Sequence, residues 1–229
     1  MRALLFTTGS PFARAVRITL HELGLDFEPR EEITTPSVEQ RAASTPTLQV
    51  PTFWDGPLTL WESGTICEYL LSTYESRPAA VPPLAPAMFR ESSKWNDKLV
   101  FSTIQTFGTA ATTISQFKWT GISVADNAHL QRSAHRLAHV LQWLEAQLIE
   151  VGAGFMPGTL SIQDVFLACH VRFVQARPLG VDLALPRYEK VSALLEGLDQ
   201  RASFRANPVW WWEPGVTGYE KDGTPIYRK

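Results

Sequence analysis

The sequence has 229 residues, of which 45% are hydrophobic and 19% charged, and its formal net charge is −2. This much apolar material excludes a globally disordered chain, because its burial can offset the entropy lost on ordering. The 21 basic residues do not outnumber the 23 acidic ones, which excludes a protein that coats nucleic acid through a basic surface. The only cysteines, Cys67 and Cys169, are too few for a disulfide framework or a zinc site and favour a reducing compartment.

The chain also contains no apolar stretch of the ~20 residues that a membrane helix needs. Its first apolar run, residues 3–6, is too short for the core of a signal peptide. We therefore expect a soluble, cytoplasmic protein of one or two domains.

The first 77 residues alternate short apolar runs with helical patterns. A strand is predicted at residues 3–6, and a helix follows over residues 11–23 because its apolar residues recur at helical spacing. Ser10 and Pro11 suit the N-cap and first position of that helix, and Gly24 suits its end. The elements predicted next are a strand at 27–33, a short helix at 37–43, hairpin strands at 50–54 and 58–61, and a helix from 62 to 74.

The remainder of the chain reads as a linker followed by helices. Four prolines in the segment RPAAVPPLAP, residues 77–86, are incompatible with a continuing helix. The organisation predicted from this is a first domain at 1–77, a proline-rich linker at 78–86, an all-helical domain at 87–206 and a tryptophan-rich tail at 207–229. Within the second domain we predict helices at 88–117, 126–150, 161–177 and 187–202, the third of them opened by a capping box, Ser161 to Asp164.

The tail contains three consecutive tryptophans, Trp210 to Trp212, among several glycines and prolines. That composition disfavours regular secondary structure, whereas side chains as large as tryptophan must be buried or form a contact surface. We expect the tail to pack as an extended strap over a domain.

Three places in the first domain could carry chemistry. Ser10 precedes a helix, where unpaired backbone N–H groups and the helix dipole stabilise an anion such as a thiolate, although a serine here can also serve only as a cap. Val50 before Pro51 could present its backbone to an extended peptide if the bond were cis, or simply open an edge strand. Glu62 and Ser63 open a helix and could bind an ammonium and a carboxylate, or only complement the dipole.

In this order, the three places resemble glutathione transferases. Residues 8–17, TGSPFARAVR, are similar to the first strand–helix junction of that family. Residues 50–53, VPTF, followed by residues 61–70, WESGTICEYL, are similar to its central signature. The proline-rich linker, the helical second half and the Ser161–Asp164 motif extend the resemblance over about residues 1–205.

The resemblance implies an α/β thioredoxin-like N-terminal domain and an all-α C-terminal domain, with glutathione bound as co-substrate and no metal. By position, Ser10 is implied to be the catalytic residue that hydrogen-bonds the sulfur and favours the thiolate, with Thr7 and Thr8 as rival hydroxyls. The residues implied to bind the rest of glutathione are Gln49 near the glycyl end, Val50 with a cis Pro51 at the cysteinyl part, and Glu62 and Ser63 at the γ-glutamyl end.

For the electrophile, we expect an acceptor pocket between the domains, formed by Phe12, Trp95, Leu99 and Trp119. Aromatic side chains at helical spacing more commonly pack in a core or a dimer interface, so that alternative stays open for these residues. The pair His135 and His139 is not expected to bind metal, because no glutamate follows in the right register.

Two departures from the family pattern narrow the expected reaction. Ser10 stands where redox-active relatives have cysteine, and no Ser-x-Cys pattern of the zeta class is present, which disfavours disulfide chemistry and maleylacetoacetate isomerisation. Residues 44–49, STPTLQ, replace the usual Asn-Pro-x-Gly loop.

The function expected from these residues is a homodimeric, detoxifying Ser-type glutathione transferase that conjugates glutathione to small hydrophobic electrophiles. It would bind neither nucleic acid nor membranes. The alternatives are a non-catalytic, transferase-like interaction protein and a glutathione-dependent ether-cleaving or dehalogenating enzyme.

Overall fold

The structure, a computed structural model, describes residues 1–7, 9–32, 37–74, 84–210, 216–219 and 225–227. Across this part of the chain, no helix combines the length and apolarity needed to cross a lipid bilayer. The architecture is a four-stranded sheet with flanking helices, followed by a larger set of packed helices. The α/β first half and helical second half are those expected from the sequence.

The sheet is formed by β1 (Arg2–Phe6), β2 (Glu28–Glu31), β3 (Thr52–Asp55) and β4 (Leu58–Trp61). Its strand order is β2-β1-β3-β4, in which β1 and β2 are parallel and the other neighbours are antiparallel. The strand β1 is central and almost entirely buried, which explains its continuous apolar sequence. The two-residue turn between β3 and β4 contains Gly56 at φ +57°, a conformation that glycine adopts without cost.

Three helices belong to this half: α1 (Pro11–Glu22), α2 (Val38–Ala42) and α3 (Ser63–Tyr74). The helix α1 begins at a side-chain cap, because Ser10 Oγ accepts a hydrogen bond from the backbone N–H of Ala13 at 3.2 Å. It packs against α3 and also against the second half of the chain, so it is buried on most sides. Its N-terminus therefore lies where the two halves meet.

The second half contains long helices and two very short strands that pair with each other. These elements are β5 (Leu84–Ala85), α4 (Lys94–Trp119), α5 (Ala128–Gln147), β6 (Leu160–Ser161), α6 (Ile162–Gln175), α7 (Glu189–Asp199) and α8 (Ala202–Ala206). The helix α6 is buried over almost its whole length, between α1 on one side and α4 on the other. It is the element through which the two halves pack together.

The start of α6 is fixed by the predicted capping box. Ser161 Oγ accepts a hydrogen bond from the backbone N–H of Asp164, and the Asp164 carboxylate accepts one from the backbone N–H of Ser161 at 2.8 Å. The same carboxylate accepts from the backbone N–H of Phe155 at 2.9 Å. Asp164 therefore connects the preceding turn to the helix, and no part of its role lies at the candidate site.

Several element boundaries differ from the sequence predictions. The helix α4 starts at Lys94 rather than at residue 88, because the residues before it form a turn in which the Arg90 guanidinium binds Asp97, a residue of the helix's first turn. The predicted linker contains the buried strand β5, which pairs in parallel with β6. The predicted last helix, residues 187–202, corresponds to α7, which ends at Asp199, and the separate helix α8 begins at Ala202.

The tail also differs from the expectation of irregular structure, because it contains the antiparallel strands β7 (Val216–Tyr219) and β8 (Pro225–Tyr227). Before them, the backbone oxygen of Asn207 accepts a hydrogen bond from Arg14 Nε at 2.7 Å, which attaches the start of the tail to α1. Trp211 and Trp212 lie outside the described residues.

Candidate functional site

The Ser10 hydroxyl is compatible with both roles considered for it. One lone pair of Oγ accepts from the Ala13 N–H, as an N-cap does. No described residue accepts a hydrogen bond from this hydroxyl, so its proton is available to a ligand. The backbone N–H of Ser10 donates to the carbonyl of Thr7 at 3.0 Å, which fixes the residue at the helix N-terminus. Capping and donation to an anion are therefore complementary uses of one oxygen.

Ser10 lines a cavity of about 260 Å³, which we call the central cavity. On its first-half side the cavity is bounded by the β1–α1 junction, by α2 and by the loop before β3. Its far wall comes from the C-terminal part of α4 and the end of α6. The lining residues used below are Ser10, Phe12, Arg41, Leu48, Gln49, Val50, Ser115, Trp119, Phe173 and Arg177.

A second cavity of about 200 Å³, the adjoining cavity, contains the remaining residues expected to bind glutathione. Glu62 and Ser63, at the start of α3, line it together with Pro51. The two cavities share five lining residues: Phe12, Gln49, Val50, Thr112 and Gln116. The expected site residues of the first half therefore lie along one continuous cleft that passes the N-termini of α1 and α3.

The backbone on either side of β3 and β4 is unusual in this cleft. The Val50–Pro51 peptide bond is cis, and Glu62 has a φ of +65°, which residues other than glycine rarely adopt. Ser63 follows as the buried first residue of α3, with its backbone N–H among the unpaired donors of a helix N-terminus. Such donors suit a carboxylate ligand.

Arg41 is a site residue that sequence reasoning missed. It lies on α2, lines the central cavity and forms an ion pair of 2.6 Å with Glu32. Its Nη1 atom is buried and has no hydrogen-bond partner among the described residues. This guanidinium can bind a carboxylate in the cavity that Gln49 also lines. No sequence motif marked Arg41 in the short helix.

Arg177 is a second residue that the sequence did not indicate. From beyond the end of α6, its Nη2 atom donates to the backbone oxygens of Gly9 and Trp210, each at 2.8 Å. Its guanidinium carbon lies 3.8 Å from the centre of the Phe173 ring. Arg177 thus connects the residue before Ser10 to the start of the tail, and it lines the central cavity between them.

The structure corrects the expected acceptor wall. Trp95 and Leu99 line neither cavity; they lie in the first turns of α4, 72% and 55% exposed. The wall comes instead from the other end of that helix, where Trp119 is the last residue. A helix of 26 residues is about 39 Å long, so residues at its two ends cannot share one small cavity.

Within the part of the chain that the structure describes, neither cavity of the cleft is lined by a cysteine or a histidine that could compete as a nucleophile. Burial raises the pKa of the Cys67 thiol to about 12, and burial also raises the pKa of Cys169, so both remain protonated near neutral pH. Among the described residues, no group of three or more metal-ligating side chains is found. Thr7 lines the central cavity as a rival hydroxyl, whereas Thr8 lies outside the described residues.

Comparison with known proteins gives one family match. Residues 4–78 match the family model described as the N-terminal domain of glutathione S-transferase. The comparison with curated proteins found no match.

Among solved structures, a glutathione S-transferase from Methylobacterium radiotolerans in complex with glutathione sulfonate has a TM-score of 0.75 at 20% identity, covering 96% of this chain and 98% of the other. One from Methylobacillus flagellatus with glutathione bound has a TM-score of 0.73 at 18% identity, covering 93% and 100%. One from Rhodospirillum rubrum has a TM-score of 0.69 at 23% identity, covering 99% and 96%. Residues 4–78 therefore match the N-terminal domain of glutathione S-transferase, and the chain as a whole shares the two-part fold of these solved structures.

Proposed function

We propose that this protein is a glutathione transferase in which Ser10 donates a hydrogen bond to the glutathione sulfur. The observation that carries the proposal is the available hydroxyl proton of Ser10 at the N-terminus of α1, inside the central cavity. A free thiol has a pKa near ~8.5 and is mostly protonated at neutral pH. A hydroxyl donor together with the positive end of a helix favours the thiolate, which is the nucleophile.

In the proposed complex, glutathione lies along the cleft from the central to the adjoining cavity. Val50 pairs its backbone with the cysteinyl part, Glu62 accepts from the γ-glutamyl ammonium, and Ser63 donates to the γ-glutamyl carboxylate. Gln49 and Arg41 bind the glycyl carboxylate at the other end. This assignment is supported by the lining of both cavities and by the buried, unpartnered Nη1 atom of Arg41.

The reaction proposed is attack of the thiolate on an electrophilic carbon. In a displacement, the sulfur–carbon bond forms while the bond from carbon to the leaving group breaks, and the leaving group departs with the electron pair. The thiol proton has already passed to solvent on binding. Small hydrophobic electrophiles are supported by the aromatic side chains of Phe12, Trp119 and Phe173 around the central cavity.

The Ser10→Ala variant tests the proposal. We expect glutathione binding, measured by titration calorimetry, to persist, while the ultraviolet absorbance of the bound thiolate disappears. Conjugation to 1-chloro-2,4-dinitrobenzene should fall by about 10²-fold, the size typical for loss of one well-placed donor. Ser10→Thr keeps the hydroxyl and should retain the thiolate.

Two other outcomes would contradict the assignment. If the thiolate persists in Ser10→Ala and is lost in Thr7→Ala, the donor is Thr7. If the unchanged protein does not bind glutathione, the protein is a transferase-like interaction protein and the enzymatic proposal is wrong.

We also propose that the protein forms a homodimer through the exposed start of α4. Trp95 and Leu99 are four residues apart on that helix and therefore share one face. Lys98, between them in sequence, bridges to Glu68 of α3 at 2.7 Å, so this face continues onto α3. Large apolar side chains exposed together are typical of a protein–protein contact.

A further inference from the structure

Leu48 has a backbone conformation that its residue type disfavours. Its φ is +57°, where the Cβ atom of an L-residue crowds the neighbouring carbonyl. Glycine, which lacks Cβ, adopts this conformation freely. A leucine at this position therefore costs conformational free energy. Residues in such strained conformations occur where the surrounding structure or the function requires them.

Hydrogen bonds stabilise the turn that precedes Leu48. The buried Thr45 accepts a hydrogen bond from the Leu48 N–H at its carbonyl, at 3.4 Å. The Thr45 hydroxyl accepts from the Thr47 N–H at 3.3 Å and lies 2.9 Å from the Thr47 hydroxyl. After Leu48, the chain must deliver Gln49 and Val50 to the cleft. Leu48 thus stands between a hydrogen-bonded turn and two residues that line the cleft.

The Leu48 side chain is placed at the central cavity. It is 44% exposed and lines this cavity together with Ser10, Phe12, Trp119 and Phe173. It does not line the adjoining cavity, which contains Glu62 and Ser63. An apolar side chain half open to solvent gains burial only when a ligand covers it.

We propose that Leu48 is a specificity-determining residue that forms part of the acceptor wall and selects electrophiles whose transferred carbon group is an apolar aryl or alkyl group. The inference rests on the proposed function, because it assumes that the sulfur of glutathione lies at Ser10. A transferred group attached to that sulfur would occupy the central cavity, which Leu48, Trp119 and Phe173 line.

The test compares two ligands that differ only in the transferred group. Titration calorimetry gives the dissociation constants of glutathione and of S-(2,4-dinitrophenyl)glutathione, whose aryl group occupies the acceptor side. The ratio of the two constants isolates the contribution of that group. The proteins compared are the unchanged chain, Leu48→Ala, Leu48→Gly and Leu48→Met.

In Leu48→Ala and Leu48→Gly, we expect the preference for S-(2,4-dinitrophenyl)glutathione over glutathione to fall about tenfold, with the affinity for glutathione unchanged. In Leu48→Met, we expect this preference to be retained. Leu48→Gly should also unfold about 2–4 °C above Leu48→Ala, because only glycine removes the backbone cost. The higher melting temperature would show that the weaker preference for the dinitrophenyl conjugate in Leu48→Gly is not caused by misfolding.

An unchanged ratio in both Leu48→Ala and Leu48→Gly would overturn the inference and leave the proposed function intact. An equal loss of affinity for both ligands would also overturn it, because Leu48 would then contact the tripeptide. If the unchanged protein binds neither ligand, the proposed function fails first and the inference fails with it.

Discussion

His170 is a buried titratable side chain directly behind the site. It lies on α6 with its ring 4.6 Å from that of Phe12, measured between centroids, and 5.8 Å from that of Phe166. Neither ring nitrogen has a hydrogen-bond partner among the described residues. Burial lowers its pKa to about 3, so the imidazole is neutral in the folded protein at any physiological pH. Its ring acts as an apolar support for Phe12.

Because His170 is buried in its neutral form, we expect the stability of the protein to depend on pH through this side chain. The pKa of His170 is about 3 in the folded protein and ~6.5 in the unfolded chain. Its contribution to the free energy of unfolding is therefore fully present above pH ~6.5 and is lost as the pH falls toward 3. The loss amounts to about 2 kcal/mol at pH 5. Urea unfolding at pH 7 and pH 5 should show this difference in the unchanged protein and not in His170→Leu. An equal decline in both proteins would contradict the assignment.

At the residue scale, the sequence indicates those candidate-site residues whose placement depends on local position. Ser10, Glu62 and Ser63 each stand at a helix N-terminus, and helix starts can be inferred from neighbouring residues. Arg177 was missed because its partner Gly9 is 168 residues away in the chain. A contact over such a separation has no local pattern in a single sequence, whatever its importance for the site.

At the scale of elements, α4 and α6 approach closely at Gly108. A Cβ atom at this position would lie 2.4–2.7 Å from the atoms of the His170 ring. Because His170 is fully buried, its ring has no space to move away. The absence of a side chain at Gly108 therefore sets the distance between the two helices that carry the far wall of the central cavity.

We expect Gly108→Ala to destabilise the protein by about 1–3 kcal/mol, the usual cost of inserting a group into a packed core. Gly197 is the matched control, since it also lies inside a helix and a Cβ there would meet nothing within 4 Å. Gly197→Ala should stabilise the protein by about 0.5–1 kcal/mol through helix propensity. Thermal unfolding of both variants provides the measurement. A neutral effect at position 108 would show that the helices separate without cost.

Helical periodicity predicted the long elements well and their ends less well. The leucines of α5 are buried on one face, because side chains three and four positions apart lie on the same side of a helix. The strands β5 and β6 were not predicted. Each has only two residues, and they pair across 76 positions, Leu84 with Leu160. Such a strand is defined by its distant partner and has no periodicity of its own.

At the scale of the whole molecule, the proposed dimer requires an apolar contact through Trp95 and Leu99 on the exposed face of α4. Trp95→Glu combined with Leu99→Glu should convert the dimer to a monomer, because two charges would have to be buried in the contact. Sedimentation velocity measures the change. Ile149→Glu is the control, since Ile149 is a comparably exposed apolar residue after α5, outside this face, and its replacement should leave the oligomeric state unchanged. A monomeric unchanged protein would refute the proposed interface.

The two attachments of the tail join residues that are synthesised early to residues that are synthesised near the end of the chain. Arg14 holds Asn207, and Arg177 holds both Trp210 and Gly9. The first strand–helix junction thus reaches its final environment only after residues beyond position 206 have been made. A nascent chain released before this point would lack the contacts that these residues make with the first strand–helix junction. The opposite terminus, where Met1 is almost wholly exposed, is the place to attach a label.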